Sequence, residues 1–140
     1  MKRFLTIILV VVGVVGVLWV AKAWTLRRAD ATLAKFNGDC DNLIMGIQQY
    51  REFVGSYPTG NNAAITKALL GQTEKKVLIL AVRRSDVNDK GEIVDPWGTP
   101  YQFYFSHNEV LIRSAGPNKV WEDSAVATGD DLYRCASKEK

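Results

Sequence analysis

Phe4 to Ala21 reads FLTIILVVVGVVGVLWVA, 18 residues without a charge. As a helix this stretch is about 27 Å long, close to the thickness of a bilayer's hydrocarbon core. It cannot belong to the small folded domain that a chain of 140 residues supports. Trp19 and Trp24 stand near its C-terminal end, where amphipathic rings favour a membrane interface. A cleaved signal peptide is the alternative, with Lys2 and Arg3 as a basic start and Ala21-Lys22-Ala23 as a small-x-small cleavage site. Two features favour retention: the stretch exceeds a usual signal core, and Leu26 to Phe36 continues a helical pattern without a break. Residues 1–25 therefore read as a transmembrane anchor or leader, and residues 26–140 as an exported domain. Lys2 and Arg3 before the span balance Lys22, Arg27 and Arg28 after it, so the short N-terminal tail is what places the N-terminus in the cytoplasm.

These flanking cations account for part of the net charge of +3, and the domain itself is near neutral. No basic stripe interleaved with aromatics is present, so no nucleic-acid partner is expected. Cys40 and Cys135 lie near the two ends of the exported part. In an oxidising compartment they are candidates for a disulfide contributing about 4–5 kcal/mol, the alternative being two free buried thiols.

Leu26, Ala29, Leu33 and Phe36 recur at helical spacing, Asn37-Gly38 then interrupts, and the pattern resumes through Leu43, Ile44, Ile47, Tyr50 and Phe53 or Val54. Gly55 stands where a glycine would end that helix. SYPTGNN is turn-rich; Ala63 to Leu70 predicts a short helix closed by Gly71; Val77 to Val82 predicts a buried strand; Arg83 to Gly91 is a polar loop. The run DPWGTPY at Asp95–Tyr101 is dense with backbone constraints. Asp at the first, Pro at the second and Gly at the fourth position predict a type I turn, and Thr99-Pro100 delivers the chain already extended into a strand. Gln102–Phe105 and Val110–Arg113 flank a hairpin with His107-Asn108 at its tip, its aromatics set at strand spacing for core and cross-strand contacts. Ser114 to Asp131 is a long irregular loop, the kind that needs a functional or ligand-based reason to be ordered. The expected fold is α+β, a long N-terminal helix on a small antiparallel sheet near the C-terminus.

GSYPTG, DPWGTPYQF, SAGPN and GDD, taken together over roughly residues 40 to 132, resemble the major pseudopilin of type II secretion systems. The matching positions are Gly55 with Tyr57-Pro58-Thr59, Asp95 to Gly98 with Pro100-Tyr101, Ser114-Ala115-Gly116, and Asp130-Asp131. The resemblance implies a pilin-like fold and a single-pass protein of the bacterial inner membrane with its C-terminal domain in the periplasm. It implies a structural subunit of a filament-like pseudopilus serving protein export, whose partners are other pseudopilin subunits packed through the N-terminal helix. It also implies calcium in the C-terminal loop, held by the side chains of Asn118, Asp130 and Asp131 and the carbonyls of Ala115 and Val120. The family usually places Asp where Asn118 stands, and Glu122 and Asp123 either make up that charge or are simply solvated. A polar turn at GDD is the alternative. The N-terminus departs from the family pattern: no glycine precedes Phe4, and Ile8 occupies the position of the family's glutamate. That departure suits a second reading, an anchored or secreted binding module that does not polymerise.

No enzyme is expected. His107 is the only histidine and sits at a hairpin tip, leaving no His-based metal cluster, no Ser-His-Asp arrangement and no implied small-molecule substrate.

Overall fold

In a computed structural model the chain is described over residues 2–72, 78–79, 83–122 and 129–137, with backbone alone for residues 2–12 and Arg84. A long helix, α1, runs over Lys2–Val54. The chain divides into two compact units, Met1–Lys35 and Phe36–Lys140. In the first, the side chains described from Gly13 onward are mostly exposed: Val14, Val15, Val17, Leu18, Trp19 and Val20 all present apolar surface. Side chains 4–12 of the predicted span lie outside the described residues, and among those described no helix is long and apolar enough to cross a membrane. Of the stripe at Leu26, Ala29, Leu33 and Phe36, Leu26 and Leu33 are exposed and only Phe36 is in the core.

The second unit is a helix packed on a small antiparallel sheet. α1 contributes Phe36, Cys40, Leu43, Ile44, Ile47 and Tyr50 to one buried stripe. No interruption occurs at Asn37-Gly38. The glycine's helix penalty is about 1 kcal/mol, whereas Phe36 and Leu43 on either side are buried and each stabilises by about 1.5–3 kcal/mol. Packing overrides local propensity here. α1 ends where Gly55 donates its N–H to the Arg51 carbonyl. α2, Asn62–Leu69, is capped by the Asn61 side chain, which accepts from Ala64 N, and closes at Gly71, which donates to Ala68 O. Of the strand predicted at 77–82, residues 77 and 80–82 lie outside the described residues; Leu78 makes an isolated bridge to Leu70.

Three strands form the sheet in the order β1 (Gln102–Ser106), β2 (Glu109–Ser114) and β3 (Leu132–Ser137), all antiparallel. The hairpin is the predicted one. β3 is an addition: its inward positions include Arg134 and Ala136, so no apolar alternation announces it. Phe103, Phe105, Val110 and Ile112 face the helix, and Tyr101, just ahead of β1, is buried among them against Phe36.

The candidate bridge between Cys40 and Cys135 is not formed; both thiols are free, Cys40 buried and Cys135 exposed. Strand alternation explains this: Ala136 packs toward the core, so its neighbour Cys135 points to the exposed side, while Cys40 is buried. Burial pushes the Cys40 thiol up from 9.0 to about 12, partly offset by the adjacent Tyr101 hydroxyl. Burial likewise raises Tyr101, and the neighbouring Cys40 adds to that shift.

Candidate metal centre

The DPWG corner closes as a four-residue turn, with Gly98 N donating to Asp95 O. Asp95 is buried, and its carboxylate is fully used. Oδ1 accepts from Trp97 N at 3.0 Å and Thr99 N at 2.8 Å, and Oδ2 accepts from the Ser114 hydroxyl. Ser114 ends β2, and its hydroxyl oxygen accepts from Gly116 N. The corner therefore fixes the point where the C-terminal loop leaves the sheet. The Asp95 carboxylate braces the corner, and His107 is exposed in the β1–β2 turn.

The loop folds back so that residues 116–122 meet 129–131. Gly116 has φ of 66°, and a Cβ there would lie 2.2 Å from the Asp130 carbonyl oxygen, so only glycine permits the approach. At Gly129 a Cβ would come within 2.1 Å of Glu122 Oε2. Asn118 closes the intervening turn: its Oδ1 accepts from Val120 N at 2.7 Å, and its Nδ2 donates to Glu122 Oε1 at 3.2 Å. Asp130 Oδ2 accepts from Asn118 N at 3.0 Å, while Asp130 N donates to Glu122 Oε2 at 2.9 Å.

These contacts gather Glu122, Asp130 and Asp131, with one oxygen from each lying within 4.8 Å of the others. The Asp131 side chain is 5% exposed. Its Oδ2 is held by Arg113 through Nε at 2.7 Å and by an ion pair to the same guanidinium. That guanidinium also donates to the Glu122 carbonyl and lies over the rings of Trp121 and Tyr133, at 5.1 and 5.6 Å from their centroids. Asp131 Oδ1 and Asp130 Oδ1 are buried and, among the described residues, have no hydrogen-bond partner.

Two buried carboxylate oxygens without donors are costly, because each has lost water and gained nothing. A cation ligated by both would remove that cost. Three carboxylates and one guanidinium leave the cluster a net charge of −2, which a divalent ion matches. An oxygen-only set of carboxylates suits a hard cation such as calcium or magnesium rather than a thiophilic metal. The residues present thus fit a divalent ion.

Of the residues expected at this site, Asn118, Asp130 and Asp131 are brought together. Asn118 acts through the turn and through Glu122, its Oδ1 being engaged by Val120 N. Ala115 is buried and Val120 exposed at the two ends of the same segment, and Asp123 lies outside the described residues. Glu122 stands at the centre of the cluster, and Arg113 was not signalled by the sequence: a strand arginine beside a future acidic loop has no local mark. Comparison of the chain with family models, with curated proteins and with solved structures gives no match.

Proposed function

We propose that this chain is a structural subunit of pseudopilin type, anchored in the bacterial inner membrane with its second unit in the periplasm, and that its C-terminal loop takes calcium. The observation that carries the subunit reading is the surface of α1 over Val14–Val20. Val14, Val15, Val17, Leu18, Trp19 and Val20 are 49–77% exposed and lie on every side of the helix. A helix apolar all round is covered either by lipid or by other helices. The second unit supports the same reading, since a helix on a three-stranded antiparallel sheet is the arrangement the resemblance implies. Calcium rests on the two donorless buried oxygens at the loop position where that family holds the ion.

Ile8, standing in the place of the family's glutamate, favours one second reading: an anchored binding module of the same fold that does not polymerise. Cysteine pairs introduced along residues 4–21 separate the two. A filament subunit gives crosslinked ladders in cells that hold the other pseudopilins, and a non-polymerising module gives none. Carbonate extraction tests the anchor common to both, which leaves the protein in the membrane pellet; a soluble form beginning at Trp24 would contradict it.

A further inference from the structure

We infer that Arg113 is a resident counter-cation of the acidic loop, lowering the site's affinity for its metal and letting the loop stay closed when the metal is absent. The inference rests on the cation reading above and concerns what that site does without its ion. Arg113 reaches the cluster from β2, a packed strand, and not from the loop itself. Its guanidinium holds Asp131 through Oδ2 and ties the Glu122 backbone to the same point. It therefore spans the two chain segments that a metal would join. It is 9% exposed on its side chain, and the Trp121 and Tyr133 rings fix it in place. A charge so placed is not a surface ion pair screened by solvent.

Each unit of charge on an incoming ion is opposed by this guanidinium, so its effect grows with ion charge. Without it the cluster carries −3 instead of −2, closes only when an external cation is bound, and gains more affinity for a trivalent than for a divalent ion. With it, one of the two oxygens of Asp131 is already neutralised, and the metal needs to satisfy only the Oδ1 atoms of Asp130 and Asp131 together with Glu122.

Calcium and terbium titrations of the full-length chain in detergent test this, read by terbium luminescence sensitised through Trp121 and by calcium competition. Arg113→Gln is expected to raise the terbium-to-calcium affinity ratio about tenfold or more, because one unit of opposing charge is removed. Arg113→Lys keeps the charge but loses the planar fork, and is expected to leave the ratio within about threefold of wild type although the fold is weakened. If Arg113→Gln does not fold in chelator, the ion concentrations that restore its far-ultraviolet circular dichroism give the same ratio. A ratio unchanged in Arg113→Gln, or no refolding with either ion, overturns the role of Arg113. Absence of any calcium or terbium binding to the wild-type chain overturns the cation site itself.

Discussion

Asp95, in the corner ahead of β1, and Asp131, directly ahead of β3, both carry side chains shielded from solvent, and they differ in how far their hydrogen bonding is complete. Asp95 has three donors on two oxygens, all supplied within the corner and the end of β2. Asp131 has one oxygen clamped by Arg113 and one without a partner among the described residues, and its neighbour Asp130 repeats the omission. The lesson is physical: a fold that uses an acid only to brace a turn completes its hydrogen bonds locally. A fold that leaves two carboxylate oxygens dry and donorless beside each other has left room for something with positive charge.

That contrast can be broken most forcefully at the complete site. Asp95→Ala removes three hydrogen bonds to a buried carboxylate and strands the Trp97 and Thr99 N–H groups, for a loss of about 3–5 kcal/mol. Urea unfolding of the chain measures it, and calcium is expected to restore none of it. A loss under about 1 kcal/mol would mean that the corner does not depend on its acid.

The core between the two loops has its own signature. Burial holds the Cys40 thiol at about 12, above its ordinary 9.0, so the folded state keeps a proton that the unfolded state gives up. Stability from this source is fully present below pH 9 and is lost as pH rises toward 12. Unfolding midpoints recorded across that window should fall, and less steeply in Cys40→Ala. Equal slopes would show that Cys40 is not the group responsible.

Asp130→Asn should have the smallest effect. In chelator it exchanges a carboxylate with one dry oxygen for an amide whose oxygen can keep the bond from Asn118 N, and is expected to change stability by less than about 1 kcal/mol. In calcium it should cost much more. If the cost in chelator matched that of Asp95→Ala, the two sites would be alike and the contrast void.

Legibility in the sequence depends on the range over which each feature is determined. The helix stop at Gly55, the stop of α2 at Gly71, the DPWG turn and the β1–β2 hairpin depend on a few adjacent residues, and each stands where its residues predict it. Asn37-Gly38 is a local helix breaker overruled by distant partners of Phe36 and Leu43. β3 was hidden because its inward residues after Leu132 are Arg134 and Ala136; the arginine pairs with Asp41 on α1, a contact 93 positions away in sequence. The acidic loop was marked by GDD and its lack of local structure. Arg113 was not, because its meaning comes only from Asp131, 18 residues downstream.

The central claim is that the loop between β2 and β3 is completed by calcium, and its most direct test is a melting curve of the full-length chain in calcium and in chelator. A ligand bound only by the folded state at a hundredfold excess over its Kd adds about 2.7 kcal/mol. For a domain of this size that is a rise of about 10 °C or more in Tm. Magnesium, which demands a tighter octahedral shell, is expected to give a much smaller rise. Asp131→Ala should abolish the calcium shift, and Asn118→Asp should enlarge it by adding a charge to the cluster. Superimposable curves in calcium and chelator would contradict the claim, leaving Glu122, Asp130 and Asp131 as a polar turn braced by Arg113.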